Sequence, residues 1–504
     1  MIRSLLVNTG SNVLVMIVKL IITFVMTPVF VYNLGKYDYG LWEMIGAIIG
    51  YAGMLNLGIQ PAISRYAAKY KAEGDQSQLL IVFSSALFFM ILTGLLLCLF
   101  CILWATWFPN VLAPEGSPSE RYAILLTIIG AQLLFAFPGQ VAESYLEGFQ
   151  KYYLKNNITI VNSIIGSTIL YIFITPENGL LLLAGINAIG LSVKYVLFFL
   201  ILFKPAYGAI RANLGNFSFP KLKELISFGV KSLIQGVATR IENMTDSLVI
   251  GFVLGPAAVP FYSIPANLVQ HLRNLGWTLS HAFMPLFSGM SAMNDQEGIQ
   301  RVYLMASKYV VGVILPMAAG MLILGAPFLG IWIGPEFEAQ GQWIIAFLVI
   351  FTLLPLIDPF NSRYLTAINK HGIFARLTPI AAGINLGLSL VLVHQFGILG
   401  VAFASTVPAF IFVPIYLKYT CNELGIAVSR YLKESVLPCV VPALLLALSA
   451  WCFRQWVGLE GYLDVFVAVL VSGMIWAVAF WLMALNPMEK QYIRARLPIL
   501  KGTQ

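Results

Sequence analysis

Two heptapeptides far apart in the chain resemble each other, because residues 145–151 read YLEGFQK and residues 364–370 read YLTAINK. The tyrosines that begin them are 219 positions apart, and the dipeptide Leu-Gly at residues 34–35 recurs 220 positions later, at residues 254–255. Two anchors more than a hundred residues apart thus agree on one offset to within a residue. The pattern predicts two copies of a unit of about 220 residues.

Composition places this repeat in a membrane. Of the 504 residues, 59% are apolar and 10% are charged, against about 25% charged in an ordinary soluble domain. This balance excludes a cytoplasmic enzyme, a disordered chain and a nucleic-acid-binding protein. A transmembrane helix needs about 20 residues, and fourteen apolar stretches are long enough: roughly 5–31, 41–62, 79–108, 122–146, 157–175, 180–203, 225–254, 260–290, 302–333, 342–366, 373–395, 398–420, 432–453 and 462–485.

The spans and the repeat together predict an all-α polytopic membrane protein. Each repeat holds six spans, and an even number of spans inserts both copies the same way round, so the repeat is parallel. The predicted domains are an N-terminal lobe at 1–220, a C-terminal lobe at 221–425, and a third region at 426–504 with spans 13 and 14 and a basic tail. Two such lobes around a central site are typical of transporters that work by alternating access.

The distribution of basic residues predicts that both chain ends lie inside, because Lys and Arg collect in cytoplasmic loops. Three basic residues lie in the outer segments: Lys36, Arg121 and Arg454. Nineteen lie in the inner segments: Arg3, Arg65, Lys69, Lys71, Lys151, Lys155, Lys204, Arg211, Lys221, Lys223, Arg301, Lys370, Lys418, Arg430, Lys433, Lys490, Arg494, Arg496 and Lys501.

Eight further bases fall within the spans, where a charge facing lipid costs about 2.5–3.5 kcal/mol. They outnumber the acids there, which favours a hydrated cavity for an anion, with structural ion pairs as the alternative. The deepest are the predicted anion ligands: Lys19, Lys194, Arg240 and Arg273. Lys308 lies near an inner end and can extend to the surface, as can the three that are predicted to line an inner mouth: Lys231, Arg363 and Arg376.

Polar residues recur at helical spacing in two spans. Such stripes indicate either a cavity wall or hydrogen bonds between helices. The stripe of the first span comprises Asn8, Asn12, Lys19 and Thr23. The stripe of the eighth span comprises Asn267, His271, Asn274, Thr278 and His281.

Acidic residues within the spans are candidates for ion coupling. Glu242 and Asp246 are four residues apart and share a helix face, and Glu43 and Asp358 are also placed in mid-span. Each either changes its occupancy by H⁺ or Na⁺ during transport or only neutralises a nearby base. No Walker-type ATP motif occurs, and the two histidines of the eighth span lack a third zinc ligand. The sequence therefore predicts no cofactor and no metal site.

Three segments carry a family resemblance: LGKYDYGLWEMIGAIIGYAGMLNLGIQPAISRYAAKY at 34–70, AESYLEGFQKYYLKNN at 142–157 and DSLVIGFVLGPAAVPFYSIP at 246–265. They resemble Wzx-type polysaccharide and O-antigen flippases of the multidrug/oligosaccharidyl-lipid/polysaccharide exporter superfamily. The resemblance implies a V-shaped pair of lobes in the bacterial inner membrane. It also implies a central cationic cavity that accepts the diphosphate of a polyprenyl-linked oligosaccharide and moves it outward. Membrane lipid and polysaccharide polymerase or assembly proteins are the implied partners.

Other functions remain open at this stage. Lipid II flippases of the same superfamily share the fourteen-helix plan and a cationic cavity. Drug/cation antiporters are expected to carry an acid in the first helix, where this chain has Lys19. A membrane-bound polysaccharide-assembly enzyme would need catalytic groups in the outer loops, which hold only scattered acids, so the chain is predicted not to be an enzyme. An assembly scaffold without transport is a further alternative.

Overall fold

The computed structural model describes residues 2–108, 119–207, 209–211, 213–281 and 283–496, and in these ranges the chain is helical with no strand. Two compact units divide at Arg240 and Ile241, whereas the domain boundaries at 220 and 425 stay predictions. The first unit holds α1 (Ile2–Ala52), α2 (Ile59–Glu73), α3 (Gln76–Trp107), α4 (Ser119–Gly148), α5 (Tyr152–Phe173), α6 (Gly179–Leu202) and the first part of α7 (Phe219–Leu254).

The second unit begins within α7 and continues through shorter and longer helices to the described C-terminal end. Its helices are α8 (Val259–His281), α9 (Met284–Ala292), α10 (Gln296–Trp332), α11 (Pro335–Leu356), α12 (Asn361–Ala367), α13 (Gly372–Leu424), α14 (Val428–Tyr431), α15 (Leu437–Trp456), α16 (Tyr462–Ala479) and α17 (Pro487–Arg496).

The predicted all-α membrane fold is confirmed. Within the described ranges, ten helical segments are long and apolar enough to cross a membrane. Two of them each contain two of the predicted spans, because α1 and α13 bend at glycines with positive φ, Gly35 and Gly397. The predicted spans 7 and 8 correspond to α7 and α8. These two helices carry more polar residues than the other spans.

The internal repeat is visible in the backbone. Glycine tolerates a positive φ without steric cost, and Gly35 (φ 71°) recurs as Gly255 (φ 91°) at the offset of 220. The turn between α4 and α5 has Gln150 at φ 57°, and its partner in YLTAINK, Asn369, has φ 58°. Because a positive φ is uncommon for a side-chain-bearing residue, the match at Gln150 and Asn369 indicates one turn built twice.

Two predicted spans are interrupted. The eighth, expected over 260–290, ends as α8 at His281, and α9 begins at Met284 with Pro285 in its first turn. Proline favours that position since it has no N–H to donate. The second, expected over 41–62, ends at a left-handed turn where the Gly58 N–H donates to Asn56 Oδ1 at 2.8 Å.

The region after the second repeat belongs to the second unit and packs against its helix α10. α15 and α16 contact α10 through small side chains such as Ala450 and Ala468 around Leu324. Lys308 of α10, predicted to extend to the surface, is instead buried, and its Nζ lies 2.6 Å from Glu489 of α17. Its charge is therefore neutralised by the carboxylate of Glu489, which lies 181 residues later in the chain.

Candidate functional site

A cavity of about 470 Å³ opens between α1, α5 and α6 of the first unit. Lys19 and Lys194, two of the predicted anion ligands, both line it, and none of its described lining residues is acidic. The other polar groups are amides and hydroxyls: Thr23, Thr159, Asn162, Ser163, Ser167 and Asn187. Two ammonium groups among neutral donors can bind a phosphate or the hydroxyls of a sugar.

The carboxylates beside this cavity, Glu143 and Glu147, are already engaged by other side chains. Lys194 is half-buried with its Nζ 4.2 Å from the centroid of the Tyr195 ring. The Tyr195 hydroxyl donates to Glu143 Oε2 at 3.4 Å, and Lys155 Nζ lies 3.6 Å from the other oxygen of that carboxylate. Lys155 also pairs with Glu147 at 2.6 Å. Three lysines (Lys19, Lys155 and Lys194) thus face two carboxylates (Glu143 and Glu147) in this region. Positive charge therefore remains in the cavity.

The stripe on the first span divides into two parts with different surroundings. Thr23 and Lys19 line the cavity, whereas Asn8 and Asn12 bind neighbouring parts of the chain. Asn8 Nδ2 donates to the Gln150 carbonyl at 3.0 Å, and Asn156 Nδ2 donates to Asn12 Oδ1 at 2.6 Å. These contacts correspond to the interhelical alternative that the spacing left open.

Arg240 and Arg273 fall in different units. Arg240 is half-buried at the end of the first unit beside Gly53. Arg273 is half-buried in α8, and its guanidinium carbon lies 4.9 Å from the centroid of the Phe351 ring. The predicted site that joins these arginines to Lys19 combines residues of both units and stays a prediction.

The predicted inner-mouth bases are described in part. Arg363 lies half-buried in the short helix α12, and Arg376 is exposed in the first turns of α13. Both belong to the second unit. The side chain of Lys231 lies outside the described residues. A role for these bases in gathering substrate stays a prediction.

The stripe on α8 is also described in part. His271 is half-buried and Asn267 is exposed. Asn274 Oδ1 accepts a hydrogen bond from Gln270 Nε2 at 3.1 Å, and the backbone carbonyl of Asn274 accepts one from the Thr278 hydroxyl. The side chain of His281 lies outside the described residues.

Asp246 is the centre of a buried polar network in the second unit. Its Oδ2 accepts hydrogen bonds from the Tyr262 hydroxyl and, at 2.8 Å, from Ser405 Oγ. Asn385 Nδ2 donates to the same Ser405 Oγ at 2.9 Å. Asn385 Oδ1 and Ser389 Oγ are buried and have no hydrogen-bond partner among the described residues. The hydrogen bonds thus join α7, α8 and both halves of α13 at one carboxylate.

Sequence reasoning named Asp246 and missed its partners. Asn385, which donates to Ser405, shares a face of α13 with Ser389 four residues later, and a polar pair at that spacing is the signal that the sequence offered. Ser405 belongs to the second half of that helix, beyond the bend at Gly397. Its approach to Asp246 depends on that bend, which residue spacing does not encode.

The other candidate coupling acids have different environments. Asp358 is buried and accepts a hydrogen bond from the Tyr303 hydroxyl, while the Tyr431 hydroxyl donates to the adjacent Ile357 carbonyl at 2.8 Å. Glu43 is half-buried in α1. The side chain of Glu242 lies outside the described residues. Among the described residues, no group of three His, Cys, Asp or Glu is placed to hold a metal ion.

Comparisons with known proteins agree with this fold. The family model described as "Polysaccharide biosynthesis protein" matches residues 5–291. The uncharacterized membrane protein EpsK of Bacillus subtilis (strain 168) is 22% identical in an alignment of 516 positions, which covers 98% of each chain. The putative O-antigen transporter of Shigella flexneri is 21% identical over 380 residues, which cover 73% of this chain and 86% of that protein.

Among solved structures, the lipid II flippase MurJ in an inward closed conformation has the same fold. The TM-score is 0.70 with 16% sequence identity, and the superposition covers 95% of this chain and 98% of the other. The likeness extends over the regions of both repeats and of the last two spans. The predicted fold class is thus found in a solved membrane protein.

Proposed function

Since the chain belongs to the polysaccharide biosynthesis protein family, as its resemblance to Wzx-type flippases indicated, we propose that it flips a polyprenyl-diphosphate-linked oligosaccharide. The substrate is an O-antigen or exopolysaccharide repeat unit, and it moves from the cytoplasmic to the periplasmic leaflet of the bacterial inner membrane. The observation that carries this proposal is the cavity in which Lys19 and Lys194 meet without a lining acid among the described residues.

The chemistry of the cavity suits both parts of the substrate head group. Ammonium groups bind phosphate oxygens through charge-assisted hydrogen bonds. The amides and hydroxyls beside them, including Asn162 and Asn187, match the hydroxyls of a sugar. The polyprenyl chain stays in the bilayer while the head group crosses. A cationic drug would instead require an acid, and the proposal therefore disfavours the drug/cation antiporter.

Two relatives support the choice of substrate class. The putative O-antigen transporter of Shigella flexneri resembles this chain over most of its length, and the lipid II flippase MurJ has the same fold. The first is named as an O-antigen transporter and the second as a lipid II flippase. We therefore interpret this chain as a transporter without catalytic residues, with a polysaccharide polymerase as consumer of the product.

Transport proceeds by alternating access of two lobes that insert with both chain ends in the cytoplasm. The asymmetry of the loop bases supports this orientation. Arg240 and Arg273 are the further proposed ligands of the diphosphate. Arg363 and Arg376 gather the head group electrostatically at the inner mouth.

Asp246 is the proposed coupling site. A carboxylate that accepts a hydrogen bond from Ser405, which in turn accepts one from Asn385, offers oxygen ligands to a hard cation such as Na⁺, or a proton acceptor to H⁺. The ion gradient then supplies the energy for transport, because the sequence has no Walker-type motif for the use of ATP. Glu43, Glu242 and Asp358 are secondary candidates for the same role.

Reconstitution tests the flippase directly. The full-length protein is placed in liposomes with a fluorescent polyprenyl-diphosphate-linked oligosaccharide, and an impermeant quencher reports the fraction of label in the outer leaflet. Hydrogen bonds to charged groups contribute about 1.5–3 kcal/mol, so Lys19→Gln and Lys194→Gln are each expected to slow flipping about tenfold or more.

The matched control is Lys204→Gln, which removes an exposed lysine just after α6 and is expected to flip at the wild-type rate. Correct folding of each variant is checked by size-exclusion chromatography. The proposal fails if the wild-type protein moves no label. It also fails if the double variant at Lys19 and Lys194 moves label as fast as the control.

A further inference from the structure

A pair of lysines outside the cavity lies at one end of the first unit. Lys71 is in the last turn of α2, and Lys151 is the residue that precedes α5, directly after the left-handed Gln150. Both lie outside the membrane-spanning segments, the second of them between the spans Ser119–Gly148 and Tyr152–Phe173. The orientation proposed above places them on the cytoplasmic side, near the ends of membrane-spanning helices.

Aromatic rings hold both ammonium groups. Lys71 Nζ lies 4.0 Å from the centroid of the Phe149 ring. Lys151 Nζ lies 5.9 Å from the centroid of Tyr153 and 5.7 Å from that of Tyr207. Such cation–π contacts orient an ammonium group without neutralising its charge. The two lysines are therefore positioned and still charged.

No carboxylate among the described residues pairs with either lysine. The acids that lie closest along the chain are engaged elsewhere, because Glu147 binds Lys155 at 2.6 Å and Glu73 lies 3.9 Å from Lys69. Partial burial, and then the charge of Lys151, lower the pKa of Lys71. A lowered pKa caused in part by a like charge indicates that the two ammonium groups repel each other.

The helix that follows adds to this positive potential. Lys151 is the N-cap of the 22-residue helix α5 and makes no side-chain capping hydrogen bond. The N-terminus of a helix carries a partial positive charge, so a cation is disfavoured there and an anion is favoured. An anion bound between Lys71 and Lys151 would relieve both repulsions.

The repeat provides an internal comparison. The residue equivalent to Lys151 in the second unit is Lys370. It follows Asn369 in the equivalent turn, as Lys151 follows Gln150, and both preceding residues have positive φ. Lys370 pairs with the carboxylate of Glu423. The lysine of this turn is thus paired with a carboxylate in the second unit, whereas in the first unit no carboxylate of the described residues pairs with it. Turn geometry alone therefore does not decide whether the lysine at this position is paired with a carboxylate.

We propose that Lys71 and Lys151 form a binding site for the phosphate of a membrane lipid at the cytoplasmic surface of the first unit. Two neighbouring ammonium groups match the charge of a phosphate, and the adjacent tyrosines match the interfacial region of a bilayer. The ligand is either an anionic phospholipid or the diphosphate of an approaching polyprenyl lipid. The inference rests on the proposed function only through the orientation of the chain.

Binding is measured without transport, by native mass spectrometry of the full-length protein in neutral detergent. The probes are phosphatidylglycerol, farnesyl diphosphate and, as the zwitterionic reference without net charge, phosphatidylcholine. A basic residue near a lipid surface contributes about fivefold in affinity, or about 1 kcal/mol. The double variant Lys71→Gln/Lys151→Gln is therefore expected to bind the anionic probes about 25-fold more weakly and phosphatidylcholine unchanged.

Lys370→Gln is the matched control, since it removes the equivalent but neutralised lysine, and it is expected to bind all probes as the wild type does. Replacement by Arg at both sites is expected to restore binding and so separates charge from fold. A selective loss for farnesyl diphosphate assigns the site to the polyprenyl substrate, and an equal loss for both anionic probes assigns it to anionic lipid in general. The proposal is wrong if the double variant binds both anionic probes like the wild type.

The same variants separate this site from the flippase proposal. If the wild type flips no labelled oligosaccharide but the double variant still loses anionic lipid, the flippase proposal fails and the lipid site stands. If Lys19→Gln abolishes flipping while lipid binding at Lys71 and Lys151 persists, both proposals hold as separate sites. Unchanged lipid binding in the double variant removes the lipid site and leaves the flippase proposal intact.

Discussion

Removing one partner of the buried ion pair between Lys308 and Glu489 is predicted to destabilise the second unit strongly. The side chains are 8% and 9% exposed, and the two charged atoms are 2.6 Å apart. Lys308 Nζ also donates to the Ala484 carbonyl at 3.3 Å, and Glu489 Oε2 accepts from the Asn486 N–H at 2.8 Å. Both charges are thus desolvated and depend on this arrangement for compensation.

Breaking such a pair leaves an uncompensated buried charge, which costs about 3–5 kcal/mol. Lys308→Met and Glu489→Leu are each expected to lose stability in that range. The double variant Lys308→Met/Glu489→Leu removes both charges and is expected to recover most of the loss. Equilibrium unfolding of the four proteins in one detergent gives the coupling free energy as a double-mutant cycle.

Two results would refute the reasoning about this ion pair. One is that Lys308→Met is as stable as the wild type, which would mean that Glu489 is solvated or protonated without cost. The other is that the double variant is less stable than either single variant. Lys69→Gln, which removes an exposed lysine 3.9 Å from Glu73, serves as the control. It is expected to change stability by about 0–1 kcal/mol.

Three further predictions address topology, coupling and packing. Reporter fusions after Arg454 should read as periplasmic and fusions after Lys71 as cytoplasmic, and an opposite result at either site contradicts the orientation. Asp246→Asn should retain substrate binding in the reconstituted protein but lose the response of flipping to an imposed H⁺ or Na⁺ gradient; an unchanged response removes this residue from coupling. Gly229→Ala would bring a methyl group against the Gly58 carbonyl carbon at 2.8 Å, so it should lower stability by about 1–3 kcal/mol. In thermal unfolding, Gly383→Ala, where no atom lies within 4 Å, is the matched control and should not destabilise.

The fold was accessible from the sequence because local patterns specify each element. Apolar runs of sufficient length predict membrane helices wherever they occur, and the repeat needs only the comparison of one stretch with another. Gly35 and Gly397 show the limit of this reasoning. They mark the kinks at which α1 and α13 each divide into two helical parts, and hydropathy also separates two spans there, but hydropathy does not show that the break is confined to one glycine with non-helical φ and ψ.

The candidate site was accessible only in its residue types. A lysine in a membrane span is costly, so Lys19 and Lys194 stand out in the sequence. Spacing within one helix says nothing about a partner on another helix, and the meeting of these two residues in one cavity depends on how α1 and α6 pack. Asn8 illustrates the converse, because the stripe that predicted a cavity residue equally fits its hydrogen bond to the Gln150 carbonyl.

Membrane insertion, the parallel repeat and the excess of basic residues follow from the sequence alone, because they depend on composition and on short-range pattern. The pairing of charges depends on tertiary structure, because electrostatic interactions act over a few ångströms and join residues distant in the chain. Lys308 is neutralised by Glu489, 181 residues later, and Asp246 is bound by Ser405, 159 residues later. Lys151 and Lys370 occupy the same turn of the repeat. Of these two, only Lys370 pairs with a carboxylate of the described residues. The packing of the surrounding helices creates that difference.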